Sequence, residues 1–238
     1  VISALKRGDP FRRIFETAFG AYEQHWRDHL TVEIVEVANE DELVRAFNDF
    51  DGPMIVFDGH GSHNKNEPAK IHLQGEAVDV WNLRDKIQRM PPVVVLSACD
   101  THAADRNHAT TANGIMHLGA RTVLSSVFPL DVRFAAIFTA RLVFRIAAFL
   151  GPAIATFEGG LTWSEVISGM LRMQLLTDFL RQLLAEGQID VESYERIHIE
   201  GNMAINGRAS DPFATVVSHL EDMGLAKKNI ELALEVAV

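Results

Sequence analysis

Apolar and polar positions repeat with two different periods along the chain. "TVEIVEV" (Thr31 to Val37) alternates residue by residue and predicts a strand. "NEDELVRAFNDF" (Asn39 to Phe50) has an acidic first turn and apolar residues at helical spacing. Gly52-Pro53 then lead into the apolar run "PMIVFDG", a short strand, and "GSHNKNEPAK" after it reads as a polar loop. "DVWNLRDKIQRM" (Asp79 to Met90) predicts a helix closed by Pro91-Pro92. "VVVLSA" is the next strand, "THAADRNHATTANGIMHLG" holds a loop and a helix, and "RTVLSSVFPL" is another strand. A long apolar helix follows from Phe134 to Ala155. Beyond it, "TWSEVISGMLRMQLLTDFLRQLLAEG" reads as one long or two short helices starting near Thr162 or Ser164, and "YERIHIEG" as a last strand. The tail places Asp211 as an N-cap and Pro212 at the first helical position.

The strands are continuously apolar rather than half polar. That pattern belongs to an α/β protein with a mostly parallel sheet and helices on both faces. In such sheets the binding crevice lies beyond the carboxyl ends of the strands, and crossovers are right-handed. His60 in "IVFDGHGSH" and Cys99 in "VVVLSACD" each sit just past such an end, on strands expected to be neighbours. The expected organisation is one domain over residues 1–206 and a helical appendage over 207–238. The opening "VISALKRGDPFRR" has no initiator methionine and no basic-then-apolar signal, so the chain reads as a piece of a longer protein.

Composition narrows the function classes. A chain of 238 residues, 47% hydrophobic with mean hydropathy +0.05, can bury a full core. A net charge of −10 and a pI near 5.4 give a field that repels phosphate backbones and anionic membranes, so no nucleic-acid partner is expected. The single cysteine rules out an internal disulfide and a metal site of paired thiolates, and fits a reducing, cytoplasmic compartment. Arg141 and Arg145 within the long apolar stretch, followed by Gly151-Pro152, make it a buried amphipathic helix rather than a membrane span. No cofactor is expected. His60, His63, His102 and His108 match no metal-binding spacing, "GHGSHN" is not a dinucleotide fingerprint, and no Gly-x-Ser-x-Gly elbow occurs. Phe138, Leu142, Ile146, Met170, Met173 and Leu176 read as core. Arg12, Arg13, Lys227 and Lys228 read as solvated surface.

Taken singly, Cys99 is a small buried hydrophobe and His60 a turn residue beside glycine. Taken together, at equivalent ends of successive strands, they make a nucleophile and its base: the thiolate attacks, and the imidazole holds it ionised or takes its proton. Gly59 and Gly61 let the chain turn sharply at the strand end. The N–H of Gly61, with that of Cys99, would then form a two-donor hole for an oxyanion. Asp58 and Asp100 adjoin the pair and either orient His60 and stabilise its cation, or serve as solvated or capping groups.

"MIVFDGHG", then "PPVVVLSACDT", then "TTANGIMHLGARTVLSSVFPLD" resembles the CHAT domain, of the cysteine-peptidase clan that holds caspases, metacaspases and separase. The resemblance runs in order over residues 31 to 175. It implies a caspase-like three-layer sandwich, His60 and Cys99 as catalytic dyad, and peptide-bond cleavage through a thioester. Cys99 would attack the scissile carbonyl, the N–H groups of Gly61 and Cys99 would hold the oxyanion, and His60 would protonate the leaving amine. Relatives that cleave after Lys or Arg carry an acidic residue two places before the nucleophile, where this chain has Ser97. Charge for a substrate would then come from Asp58, Asp100 or Asp131. Ser125, Ser126, Val127 and Phe128 resemble the strand that pairs with bound peptide, with a plain core strand as the alternative. The implied partners are a protein or peptide substrate and an upstream regulatory region, often helical repeats in CHAT proteins, or an activating partner. Two other readings stay open: a non-catalytic interaction module that keeps the fold, and a thiol enzyme acting on something other than peptides.

Overall fold

The computed structural model describes residues 1–64, 67–98, 109–127, 130–207 and 209–237. They form two compact units, Val1–Gly151 and Pro152–Val238, each with its own buried cluster.

The first unit is built on a five-stranded sheet of β1 (Ile2–Ser3), β2 (Val35–Glu36), β3 (Met54–Asp58), β7 (Val93–Ser97) and β8 (Thr122–Leu124). All pairings are parallel, in the order β2-β1-β3-β7-β8. Between β3 and β7 the chain inserts a small antiparallel sheet of β4 (His60–Asn64), β5 (Glu67–His72) and β6 (Ala77–Asp79). Ile55 and Phe57 of β3 and Val94 and Leu96 of β7 share a core with Leu43 and Phe47 of α2 (Glu40–Asp49) and with Ala112 and Ile115 of α3 (Thr111–His117). Alternation along the strands sends the buried Val56 and Val95 to the opposite face. There α4 (Val132–Arg145) packs on β7 and against α1 (Pro10–Trp26). The sheet is covered on both faces, the α/β sandwich that continuously apolar strands predict. Its strand order reverses between β1 and β3, which puts the topological switch point at the carboxyl ends of Ser3 and Asp58.

Several segments depart from the sequence pattern. β1 is too short to carry a period, yet it is the strand beside β3; α1 follows from Phe11, Ile14, Phe15, Ala18 and Phe19 at helical spacing. Of "TVEIVEV" only Val35 and Glu36 are strand, and both are exposed. Residues 79–90 form a 3-10 turn, Val80–Leu83, followed by further turns, in place of an α-helix. "GSHNKNEPAK" contributes to β4 and β5 instead of forming an open loop. The long apolar helix runs as α4, a π-helical turn (Ile146–Leu150) and α5 (Gly151–Thr156). The wider turn lies just before Pro152, which has no N–H to donate and whose ring crowds the carbonyl four residues back. Val132–Thr156 is long and apolar enough to cross a membrane, with mean hydropathy 1.7 and 33% of that window buried. Ala136, Ala140, Leu142 and Val143 form its buried side, Arg145 is 6% exposed with its guanidinium 4.2 Å from the Phe149 ring centroid, and Phe134 and Ile154 are exposed.

The second unit contains α6 (Trp163–Ala185), α7 (Val191–Asn206), α8 (Pro212–Asp222) and α9 (Lys227–Ala237). α6 is a single helix opened by a capping box, with the Thr162 side chain accepting from the Glu165 N–H and Glu165 reaching back. "YERIHIEG" is part of α7 and not a strand: Ile197, Gly201 and Ile205, four apart, form its buried side. Asp211 caps α8, accepting from the Ala214 N–H at 3.0 Å, with Pro212 at its first position. Leu176 and Leu180 of α6 share one core with Ile205 of α7, Leu220 of α8 and Ile230 of α9. The chain divides into its two packed units at 151/152, and the tail from 207 shares the core of the preceding helices.

Candidate active site

β3 and β7 pair in register from Met54↔Val93 to Asp58↔Ser97, and the Gly59 N–H carries the ladder one step further, donating to the Ser97 carbonyl at 3.4 Å. The two strands end level. His60 comes next and opens β4, exposed, its ring 5.8 Å from that of Phe11 at an interplanar angle of 78°. Gly59 does not adopt a left-handed backbone; a Cβ there would lie 3.0 Å from the Ala4 Cβ and 3.0 Å from the Phe57 ring. The glycine answers a close approach by β1 rather than the demands of a sharp turn. Gly61 sits opposite Ile71 and His60 opposite His72 in the small sheet, and the Ser62 hydroxyl is 2.7 Å from His72 Nε2. His63 is a strand residue of β4. Cys99, Asp100, His102, His108 and Phe128 lie outside the described residues.

Asp58 is 3% exposed. The Ser3 hydroxyl donates to its carboxylate at 3.2 Å, and its backbone carbonyl accepts from the Ala4 N–H at 2.8 Å. Burial pushes its carboxyl up to about 7, against the lowering pull of the Ser3 bond and the Arg12 charge. Asp58 is thus neither a solvated nor a capping residue, and a side chain so buried has no surface on which to meet a substrate. Arg12, read from the sequence as solvated, is 8% exposed. It donates to Glu16 at 2.8 Å, to Glu36 at 2.7 Å and to the Leu5 carbonyl at 3.2 Å. The Glu16 bond leads the causes that raise its pKa.

On the other side of β7, the Ser126 hydroxyl donates to the Ala98 carbonyl at 3.1 Å. That bond ties the segment after β8 to the residue preceding Cys99. Ser125 is half-buried and Val127 is 38% exposed, and neither belongs to β8 as a strand residue. Asp131 caps α4, accepting from the Arg133 N–H at 2.8 Å and its guanidinium at 3.0 Å. The Arg133 side chain is the first cause holding its carboxyl below the usual range. Among the described residues no group of three or more His, Cys, Asp or Glu side chains could hold a metal ion.

Phe11, Ser3, Arg12 and His72 are the neighbours of this strand end that sequence reasoning does not select. One signal was present: Asp9-Pro10 is the same N-cap and first-turn proline pair as Asp211-Pro212, and the Asp9 carboxylate accepts from the Phe11 N–H at 2.8 Å.

A family model described as the CHAT domain matches residues 16–155, more than half of the chain. The match takes in most of α1, all of the candidate site from Asp58 to Ser126, and ends within α5. Searches of the curated proteins and of the solved structures return no match. The matched stretch holds β2 to β8 of the first unit's two sheets, with both "DGHG" and "SACD" inside it, and the chain belongs to the CHAT domain family, a family related to the caspase-like cysteine peptidases.

Proposed function

We propose that the protein is a cysteine endopeptidase that cleaves protein substrates with Cys99 as nucleophile and His60 as its base and acid. The observation that carries this reading is the level ending of β3 and β7: Asp58 pairs with Ser97, and His60 and Cys99 each follow two residues later in sequence. The exposure of His60 supports it, because a general base must be open to the proton it moves.

Cys99 as thiolate adds to the scissile carbonyl carbon, and the carbonyl electron pair moves to oxygen. The N–H groups of Gly61 and Cys99 stabilise that oxyanion. As the intermediate collapses, the C–N bond breaks and His60 passes its proton to the leaving amine, leaving a thioester. His60 then removes a proton from water, which attacks the thioester and frees the thiolate. The substrate peptide lies along the segment Ser125 to Phe128 as an added strand, with Ser126 anchored through the Ala98 carbonyl. Asp100 borders the nucleophile and supplies charge to the substrate site. An upstream region or an activating partner regulates the cleavage.

Mapping of newly formed protein N-termini, with wild type against Cys99→Ala and His60→Ala, tests the assignment. Cut sites present only with wild type support it. Identical N-termini in all three samples, under conditions where the assembled full-length protein is activated, would turn the assignment toward a docking module.

A further inference from the structure

We infer that Phe11 is a positioning residue for His60, holding the imidazole in place at the strand end; this rests on the Cys–His reading above. Phe11 is 40% exposed at the first turn of α1, at the edge of the core rather than inside it. What it does contact is the His60 ring, in a T-shaped arrangement with centroids 5.8 Å apart. Aromatic pairs at that separation and angle attract through their quadrupoles, which favours one orientation of the imidazole over the others.

The turn that presents Phe11 is fixed from several directions. Asp9 caps it through the Phe11 N–H, Pro10 pre-sets the first helical residue, and the adjacent Arg12 is locked by Glu16, Glu36 and the Leu5 carbonyl. These contacts fix the start of α1 and with it the place of Phe11 beside His60. Phe11 precedes the stretch that the family model matches.

Cys99 is the only cysteine, so alkylation by iodoacetamide reports on it alone. Labelling rates of the full chain would be read by mass spectrometry from about pH 5.5 to about pH 9.5, spanning the ordinary thiol range. Among the described residues, the titratable and charged groups considered beside His60 are His72 opposite it, Asp58 two residues before it, and Asp9 and Arg12 beside Phe11. They are common to all variants, so ratios at each pH isolate Phe11.

Near pH 6 the thiolate depends on the imidazole held beside it. There Phe11→Leu is expected to slow labelling about 2- to 5-fold, with Phe11→Tyr close to wild type. Near pH 9.5, where any exposed thiol ionises, the three proteins should react alike. If His60→Ala removes the low-pH reactivity but Phe11→Leu matches wild type, the Phe11 inference is overturned and the dyad stands. A profile unchanged by His60→Ala overturns the dyad reading and the inference with it. Equal slowing by Phe11→Leu at both ends of the range also overturns the inference, since the effect would then not pass through His60.

Discussion

Asp58 carries the most consequential charge in the described structure. Its folded-state value, about 7, lies above the unfolded value of 3.8, so between those limits the folded chain binds more protons than the unfolded one. Stability contributed by this group therefore falls as pH rises from about 4 through about 7, by on the order of 3 to 4 kcal/mol across the window. Asp58→Asn removes the titration while keeping the shape, and the Ser3 hydroxyl can still serve it. Relative to wild type, the variant is expected to be more stable by about 2 to 4 kcal/mol near pH 8 and within about 1 kcal/mol of it near pH 5. Urea unfolding at both values measures this. The same slope in both proteins would mean that the buried carboxyl does not titrate in this range. The sequence could place Asp58 at a strand end, but not bury it: that depends on Ser3 of β1 and on Ala4 just after it, which bond to its side chain and its carbonyl.

At the scale of elements, two glycines in helices separate intrinsic propensity from packing. Gly20 lies within α1, exposed, with open space where a Cβ would go. Gly20→Ala should stabilise by about 1 kcal/mol through helix propensity alone. Gly114 lies in α3, and a Cβ there would meet Val80 Cγ2 at 2.3 Å and Trp81 Nε1 at 3.2 Å. Val80 is β-branched and fully buried and cannot swing aside, so Gly114→Ala should destabilise by about 1 to 3 kcal/mol despite the same propensity gain. Opposite shifts of the melting temperature would confirm the pair, and a gain at both sites would show that α3 stands off the 3-10 turn. That turn also shows why the pattern misleads. Val80, Leu83 and Ile87 are all buried, as helical spacing predicts, yet closely spaced turns bury them without an α-helix. In α7 the alternation of Ile197 and Ile199 suggests a strand, but Ile199 is 59% exposed, and the buried row is 197, 201, 205. β3 and β7 were legible as continuous apolar runs, each entered through proline, and α2 by its acidic first turn and helical spacing. β1 has two residues and no period to read. The level strand ends behind His60 and Cys99 followed from two apolar runs of matching length, whereas Phe11 reaches His60 only through the tertiary placement of α1.

For the whole molecule, the division at 151/152 places the candidate site wholly in the first unit, while the second is a helical unit with a core of its own. Domains with separate cores can lose stability separately, so a core defect in one need not reach chemistry in the other. Leu180 is fully buried in the second core, and Phe57, 1% exposed, is part of the first core next to Asp58. Leu180→Ala should cost the second unit about 2 to 5 kcal/mol and Phe57→Ala should cost the first about 3 to 5 kcal/mol. The expected outcome is asymmetric. Leu180→Ala lowers the urea midpoint of the helical far-ultraviolet signal but leaves Cys99 alkylation in the absence of urea at the wild-type rate. Phe57→Ala changes that rate, because Phe57 packs directly under Gly59 and the strand end that carries His60. If Leu180→Ala disturbed Cys99 labelling as much as Phe57→Ala does, the two units would unfold as one cooperative body, and the sequence boundary at 206/207 would describe the molecule no worse than the packing boundary.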